Sequence, residues 1–471
     1  MGMDNSIFKE KKVSKILLRF AIPSIISLLV VELYNMVDTV FVGRYVGVNA
    51  IAALTVSFPV QRLLTSLGML ISIGASTFVA RSLGSGNTKE VKDIIVNAFV
   101  LTMVTFSIVC LGIFAFKNPL ITALGASSNV YPLADKYISI ILIGSFFQCI
   151  AMVACYTMTA LGNTKITLYS NFIGAVFNII IDYLLVAVLG FGVEGAAIAT
   201  TVSQFIAFGY TVYHFNKVRV KFNIKFTMMN ILKTFNKGLL AEILAIGFST
   251  FVIEISDAVV SVILNKLLIS SGGDTAIIIV GVITKVSMFI FVTIIGISAA
   301  MQPIVAYNYG AGNYKKMRET LMVAIKAVTI TSLIFGSLLM IFASPIIGFF
   351  VKDATILHSA VIAFRISIAI HPVIGIYYIC IYYYQAIEES KKSFLLSIYR
   401  QLVLFIPLAI LFVHLFGTVG AWIAYPVSDM ISFVTSVYFI KKDMAKKVSK
   451  APAFKLSKEN YTYSKSIRQT S

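Results

Sequence analysis

Charged residues are scarce in this chain, and their scarcity excludes a soluble globular protein. Only 13% of its 471 residues are Asp, Glu, Lys or Arg, whereas 58% are hydrophobic. A soluble domain is about a quarter charged. The apolar runs are about twenty residues long and lack the alternation of a barrel strand, so they predict membrane-spanning helices.

Acidic residues are the rarer charge, with 20 Asp and Glu against 39 Lys and Arg. In a soluble protein a net charge of +19 would indicate nucleic-acid binding. Here the basic residues are confined to short segments between the apolar runs, as in the cytoplasmic loops of membrane proteins. We therefore expect a multi-pass inner-membrane protein with both termini in the cytoplasm and no nucleic-acid partner.

Cysteine and histidine are also rare, with four of each. The cysteines lie inside apolar runs without paired spacing, so neither a disulfide nor a metal site is predicted. The histidines are scattered, and the sequence has no H-E-x-x-H or nucleotide-binding motif. The sequence therefore predicts neither an enzyme nor a cofactor.

Twelve apolar segments predict an all-α membrane protein. Windows of about nineteen residues place the helices near 15–43, 51–80, 94–116, 137–161, 165–190, 195–217, 238–268, 276–307, 319–350, 360–387, 392–416 and 419–440. The predicted units are an N-terminal six-helix lobe (1–218), a basic inter-lobe loop (219–237), a C-terminal six-helix lobe (238–440) and a basic cytoplasmic tail (441–471).

The two halves resemble each other. Gly84-Ser85-Gly86-Asn87 recurs 226 residues later as Gly310-Ala311-Gly312-Asn313, and GAAIATTVSQ from Gly195 recurs as GAWIAYPVSD from Gly420. Six spans separate the copies, so both halves insert in one orientation. Parallel repeats imply a pseudo-two-fold axis along the membrane normal and a substrate cleft between the lobes. This organisation favours a transporter over a structural duplication.

Ionisable residues inside a span are costly and mark candidate functional sites. Tyr34 and Asp38 lie four residues apart on one face of the first helix, and Asn178 and Asp182 do so in the fifth. Thr200 lies in the small-residue run of the sixth helix. These side chains form a candidate ion-coupling site in the N-terminal half.

The repeat indicates that the fold does not require this polar cluster. The positions that match Asn178, Asp182 and Thr200 hold Val403, Pro407 and Tyr425. A carboxylic acid removed from water favours its neutral form, which suits proton coupling. Carboxylate, amide and hydroxyl oxygens also suit a desolvated Na⁺. Both ions stay open, and a transient Na⁺ at Asp38 and Asp182 is one alternative.

Other spans supply further candidates. Glu254, His371 and Arg400 form a candidate polar site in the C-terminal half, although ion pairing or packing also explains them. Aromatic and thioether side chains suit flat organic cations; the substrate-cleft candidates are Phe147, Met152, Tyr156, Met288 and Tyr383. Pro23 is a candidate hinge in the first helix, because proline interrupts the helical hydrogen-bond ladder.

Several motifs recur in a fixed order along the chain: FAIPSIISLLVVELYNMVDTVFVGRYVG, the loops SLGSGNTKE and NYGAGNYKK, NIIIDYLLV with GVEGAAIATTVSQ, and RQLVLFIPLAILF with GTVGAWIAYPVSD. By these motifs the chain resembles the multidrug and toxic compound extrusion (MATE) family, near its bacterial MepA-like and DinF-like members. The resemblance implies two six-helix bundles in a V and antiport of mainly cationic, amphipathic drugs against H⁺ or Na⁺ by alternating access.

The resemblance also implies site residues and partners. It places the N-lobe coupling site on Tyr34, Asp38, Tyr137, Asn178, Asp182 and Thr200. Some members have a second, acidic cation site in the C-lobe. Glu254 matches its part in the seventh predicted helix (238–268), but the tenth predicted helix (360–387) offers His371 and tyrosines instead of a carboxylate. The expected partners are small organic substrates and membrane lipids, and the expected state is a monomer. A lipid-linked oligosaccharide flippase of the wider superfamily is the alternative, and it would need a strongly cationic cavity.

Overall fold

The computed structural model describes residues 7–8, 10–351 and 353–449, and nearly all of them are helical. The helices are α1 (Val13–Tyr45), α2 (Val48–Gly84), α3 (Thr88–Ala115), α4 (Lys117–Ala123), α5 (Tyr131–Ala160), α6 (Ile166–Asp182), α7 (Gly192–Lys221), α8 (Met228–Thr234), α9 (Lys237–Gly310), α10 (Tyr314–Ile341), α11 (Ala343–Phe350), α12 (Ala354–Ile368), α13 (His371–Ala386), α14 (Ser390–Ile398), α15 (Ile406–Phe416) and α16 (Thr418–Ser449). The predicted tail begins inside α16, and its remainder lies outside the described residues.

The described residues form twelve membrane spans. Ten helical stretches are long and apolar enough to cross a bilayer, and α12 with α13, bent by 47°, makes an eleventh. The 74 residues of α9 would extend for about 110 Å at 1.5 Å per residue, several times the bilayer core of about 30 Å. The backbone leaves the helical region at Gly273, with φ 60° and ψ −154°, and so divides α9 into α9a (237–272) and α9b (274–310). The prediction of twelve helices is confirmed.

Several spans are interrupted. The span predicted at 360–387 breaks between α12 and α13, where Pro372 at the start of α13 has no N–H to continue the ladder. The span predicted at 319–350 divides at Phe342 into α10 and the short α11. The segments Tyr183–Val188 and Tyr399–Phe405 are π-helical. The first continues α6, and the second joins α14 to α15.

Helices α1 to α7 form the N-lobe and α9 to α16 form the C-lobe, and they meet chiefly through α1 and α2 against α9. Because the spans alternate in direction, α2 and α9b end on the same face on which α9a and α10 begin. We call this the basic face, because the sequence places its basic loops here.

Reciprocal glycine contacts join the lobes at the basic face. A Cβ on Gly84 would lie 2.0 Å from the Tyr307 carbonyl oxygen, and one on Gly310 would lie 2.0 Å from that of Arg81. Gly310 follows Gly84 by 226 residues, and Tyr307 follows Arg81 by the same number. The two contacts are therefore related by the pseudo-two-fold axis.

A second glycine pair extends this interface. A Cβ on Gly74 of α2 would lie 2.0 Å from the Ile243 carbonyl oxygen, and one on Gly247 of α9a would lie 1.8 Å from that of Leu70. Only glycine allows backbones to approach so closely. The lobes are therefore in direct backbone contact over the basic-face halves of α2 and α9a.

Charged side chains close the rim of the same interface. Arg81 of α2 is buried and forms ion pairs with two C-lobe carboxylates, Glu242 of α9a and Glu388 between α13 and α14. The Arg81 Nη1 to Glu388 Oε1 distance is 2.9 Å. The molecule is thus closed at its basic face by backbone packing and by ion pairs.

A segment ahead of α1 also links the lobes, and we call residues 7, 8 and 10 the N-terminal strap. Ile7 and Phe8 are buried, and the Phe8 ring stacks on Tyr307 with 4.3 Å between centroids. Lys316 Nζ donates to the carbonyl oxygens of Phe8 and Glu10, both at 2.7 Å. Since Tyr307 and Lys316 belong to the C-lobe, the strap ties the start of α1 to the opposite lobe.

Candidate functional site

Asp38 of α1 and Asp182 of α6 form the centre of a buried polar cluster in the N-lobe. Asp182 is fully buried, and Asp38 is 9% exposed. Their carboxyl groups interact directly. Two ionised carboxylates only accept hydrogen bonds and repel one another. The pair can therefore form a hydrogen bond only when it holds a proton.

The other four predicted coupling residues surround this pair; they are Tyr34, Tyr137, Asn178 and Thr200. Asn178 Nδ2 donates to Thr200 Oγ1 at 3.5 Å. Tyr34 and Tyr137 lie within electrostatic range of Asp38. Helices α1, α5, α6 and α7 thus bring all six predicted side chains into one cluster.

Gln61 of α2 is a further member, which the sequence analysis missed. Its Nε2 donates to the Tyr137 hydroxyl at 3.0 Å, and so it holds that hydroxyl beside the aspartates. An amide in the apolar stretch FPVQRLL was the available signal.

Several oxygens in the cluster are buried without a donor among the described residues. They are Oδ1 and Oδ2 of Asp182, Oδ1 of Asp38 and Oδ1 of Asn178. A buried acceptor without a partner costs about 1–3 kcal/mol. A proton on the pair would satisfy some of these oxygens, and a hard cation prefers oxygen ligands. The chemistry of the cluster therefore suits H⁺ and Na⁺ alike.

A π-helical turn begins immediately after Asp182. Within the segment Tyr183–Val188 the spacing of the hydrogen bonds widens, and the N–H of Leu189 donates to the carbonyl of Leu184 at 2.9 Å. Such segments are rare overall, but those that occur are often found at functional sites. This one ends the α-helical register that aligns Asn178 with Asp182, and sequence periodicity did not reveal it.

Helix α1 connects the cluster to the C-lobe. It runs through Pro23 as one continuous helix, so the hinge at that residue stays a prediction. Ile25 packs against Gly296 of α9b, where an added Cβ would lie 2.5 Å from Ile25 Cγ1. The helix that carries Asp38 is therefore in close contact with the opposite lobe.

The C-lobe has its own buried polar network at other positions. Arg400 Nε donates to Asp429 Oδ1 at 2.7 Å, and His371 Nδ1 lies 3.6 Å from Asp429 Oδ2. Gln401, the next residue after Arg400, donates to Asp257 of α9a. Two of the three C-lobe candidates, His371 and Arg400, thus lie together through Asp429.

Glu254, the third C-lobe candidate, has a different direct partner. Its Oε2 lies 2.6 Å from Nη1 of Arg62, which belongs to α2 of the N-lobe. The structure therefore places Glu254 at the interface between the lobes and separates it from the contacts that join His371 to Arg400.

Two of the substrate-cleft candidates lie on one face of α5. Tyr156 is within electrostatic range of Glu254, as is Tyr382 of α13. Met152 precedes Tyr156 by one turn and is half-buried. Met288 is half-buried in α9b. Tyr156 thus lies within electrostatic range of two C-lobe residues, Glu254 and Tyr382.

Two other candidates, Phe147 and Tyr383, do not lie on the face of α5 that carries Met152 and Tyr156. Phe147 precedes Tyr156 by nine residues, or two and a half turns at 100° per residue, which places it on the opposite face of α5. It packs edge-on against Phe205 of α7 with 5.1 Å between centroids. Tyr383 is buried near Asp443 at the basic-face end of α16. Tyr382, and not its neighbour Tyr383, is the residue that lies near Tyr156.

The buried Arg400–Asp429 pair gives a prediction about stability. Asp429→Asn is expected to destabilise the protein by about 3–5 kcal/mol, because it leaves the buried Arg400 charge unpaired. Thermal unfolding in detergent measures the loss. The double variant Arg400→Leu with Asp429→Leu is the control, and it should lose less because no charge stays buried. An equal or larger loss in the double variant would contradict this account.

Comparisons with known proteins agree with this architecture. The MatE family model matches residues 23–184 and 245–411, one segment in each lobe. The chain is 24% identical over 440 residues to the FAD transporter of Shewanella oneidensis, covering 91% of this chain and 95% of that protein. It is 24% identical over 421 residues to the multidrug export protein MepA of Staphylococcus aureus, covering 88% and 90%.

A solved structure has the same fold. It is described as an outward-facing conformation of a multidrug resistance MATE family transporter of the MOP superfamily. The TM-score is 0.88 at 23% identity, with 94% of this chain and 98% of that one covered. Because the family model matches more than half of the chain, with one segment in each lobe, the chain belongs to the MatE family, the MATE transporters that its sequence resembles.

Proposed function

We propose that this protein is a secondary active transporter that exports mainly cationic, amphipathic organic compounds in exchange for H⁺ or Na⁺. The observation that carries the proposal is the buried Asp38–Asp182 pair, with its unpartnered oxygens and its oxygen-rich surroundings. Neither Asp182 nor Asn178 has a polar counterpart at the matching position of the other half. Burying these polar groups costs free energy, and the duplicated fold does not require it. An ion-binding role explains why the N-lobe bears this cost.

Ion binding would act on the helices through charge. Without a bound cation, the ionised carboxylates of Asp38 and Asp182 repel each other across the boundary between α1 and α6. A proton or Na⁺ removes that repulsion and lets the two helices approach. Because α1 also packs against α9b at Ile25 and Gly296, a shift of α1 would change the contact between the lobes.

Alternating access would then consist of opening and closing the basic face. We assign this face to the cytoplasm, with both termini, because it carries the basic loops. The closed contacts of α2 with α9 correspond to an outward-facing arrangement. Access from the cytoplasm requires that the glycine contacts separate and that Arg81 leaves Glu242 and Glu388. We propose a monomer in the cell membrane as the functional unit.

The charges between the lobes support the substrate class. Glu32 lies within electrostatic range of Arg62, Glu254 and Lys285, and tyrosines lie near Glu254. Carboxylates beside aromatic rings favour organic cations. This mixed set of charges does not favour the flippase alternative, which would need a strongly cationic cavity. FAD is the second candidate, because one relative is named for it and Arg62 and Lys285 could receive its phosphates.

Transport by purified protein in proteoliposomes tests the proposal. Proton and sodium gradients are imposed separately, and ethidium and FAD are supplied as alternative substrates. Ethidium transport driven by one gradient would support the proposal and identify the ion. Transport of FAD alone would replace the substrate class. No transport of either compound by folded protein under either gradient would refute the proposed function.

A further inference from the structure

An ion pair crosses from one lobe to the other near the middle of the membrane. Arg62 is the fifteenth of the 37 residues of α2, and Glu254 is the eighteenth residue of α9a. The backbone contacts at Gly74 and Gly247 lie nearer the basic face on the same two helices. The pair therefore lies beyond these backbone contacts, on the side away from the basic face.

Three tyrosines lie in the neighbourhood of the Glu254 carboxylate. Tyr156 of the N-lobe and Tyr378 and Tyr382 of the C-lobe all lie within electrostatic range of Glu254. Carboxylates and aromatic rings together are the groups that recognise organic cations. The Glu254 side chain is 16% exposed, and that of Arg62 is 38% exposed. The carboxylate is thus the more deeply placed partner, and the guanidinium covers it.

The Arg62 guanidinium already occupies the position expected of a bound cation. It lies 5.5 Å from the centroid of the Phe58 ring and forms the ion pair with Glu254 at 2.6 Å. Arg62 lies on α2 of the N-lobe and Glu254 on α9a of the C-lobe, so the pair depends on how the lobes are arranged. A second cation, Lys285 of α9b, lies within electrostatic range of Glu32 on the neighbouring helix α1.

We propose that Arg62 is a tethered competitor of the transported cation. Its guanidinium occupies the Glu254 carboxylate, and a cationic substrate binds there only by displacing it. The inference rests on the proposed export of organic cations and identifies the residue that sets the affinity for them. Aromatic, weakly hydrated cations displace the guanidinium because they also gain contact with the tyrosines. When the substrate leaves, Arg62 returns, so Glu254 is not left as an unpaired charge.

Equilibrium binding of tetraphenylphosphonium tests this inference. The measurement uses purified full-length protein in lipid nanodiscs and radiolabelled ligand. Arg62→Gln removes the competitor and is expected to lower the Kd by about 1.4- to fivefold, the range for a partly exposed ion pair. Arg62→Lys keeps a cation and should resemble the wild type. Glu254→Gln should raise the Kd, and adding Arg62→Gln to the Glu254→Gln protein should not lower the Kd.

Lys285→Gln is the charge-matched control, because it removes one positive charge and leaves the Arg62–Glu254 contact in place. An equal gain from Lys285→Gln would show a general effect of charge and overturn the inference. An unchanged or higher Kd in Arg62→Gln would also overturn it, as would a gain that persists without Glu254. If Arg62→Gln does not fold, Arg62→Met replaces it.

This test is separable from that of the proposed function. Wild-type protein that binds tetraphenylphosphonium but transports no cation under either gradient would refute the function, and the order of Kd values would still decide the role of Arg62. Transport with unchanged affinity in Arg62→Gln would refute the competitor alone. If neither wild type nor Arg62→Gln binds the probe, the inference is wrong.

Discussion

Proteoliposomes that contain the Asp38→Asn protein are expected to lose gradient-driven ethidium transport and to show only the background of empty liposomes. Asparagine has nearly the shape of aspartate, but it neither binds a proton nor carries the charge that attracts Na⁺. The interaction between residues 38 and 182 would then no longer depend on a bound ion, although Asp182 itself is unchanged. The initial rate under each gradient, at equal reconstituted protein, measures the effect.

Glu32→Gln is the matched control for this prediction. Glu32 is also a carboxylate of α1, but it lies near Arg62, Glu254 and Lys285 at the lobe interface and not beside Asp182. Its neutralisation should change substrate affinity and leave the dependence on the gradient intact. Rapid gradient-driven transport by Asp38→Asn would be consistent with the proposed transport function, but it would show that Asp38 is not part of the coupling site.

Gly247→Ala is expected to have the second large effect, through the contact between the lobes. The added methyl group would lie 1.8 Å from the carbonyl oxygen of Leu70, so α2 and α9a must separate. Overpacking costs about 1–3 kcal/mol, which at 1.4 kcal/mol per factor of ten corresponds to roughly a five- to hundredfold loss of the closed arrangement. Transport should fall, and the thermal unfolding temperature should decrease.

A cysteine at Ser82 reports on the same change. Ser82 is buried beside the interface at the basic face, so a membrane-impermeant maleimide should label Ser82→Cys faster when Gly247→Ala is present. Gly281→Ala in α9b of the same lobe is the control, because nothing lies within 4 Å of its added Cβ. In a helix that change stabilises by about 0.5–1 kcal/mol. A similar loss of stability in both variants would contradict the role of the interface.

The sequence predicted the spans well because a hydrocarbon environment selects long apolar runs. Even the division of α9 at Gly273 was anticipated, since the two predicted helices ended at 268 and resumed at 276. The break at Phe342 between α10 and α11 was missed, because α11 is strongly apolar and hydropathy carries no signal for a change of direction. The π-helical turns were missed because they change the hydrogen-bond spacing and not the composition.

Contacts within a helix could be predicted, whereas contacts between helices could not. Spacing by four residues identified Tyr34 with Asp38 and Asn178 with Asp182, as faces of single helices. The pairing of Arg62 with Glu254 depends on which helices meet across the lobes, and no sequence spacing contains that information. The position of Phe147 was within reach of the sequence, because nine residues of helix place it opposite Tyr156.

The N-terminal strap has a practical consequence for anyone who expresses the protein. Phe8 lies on Tyr307, and the backbone oxygens of Phe8 and Glu10 are held by Lys316. A purification tag fused ahead of the strap would lie beside the contact between the lobes, and if transport proceeds by the proposed opening of this face, the tag is expected to slow turnover for reasons unrelated to the substrate. A protease site that removes the tag before reconstitution would separate the two effects, since a rate that rises on cleavage belongs to the tag.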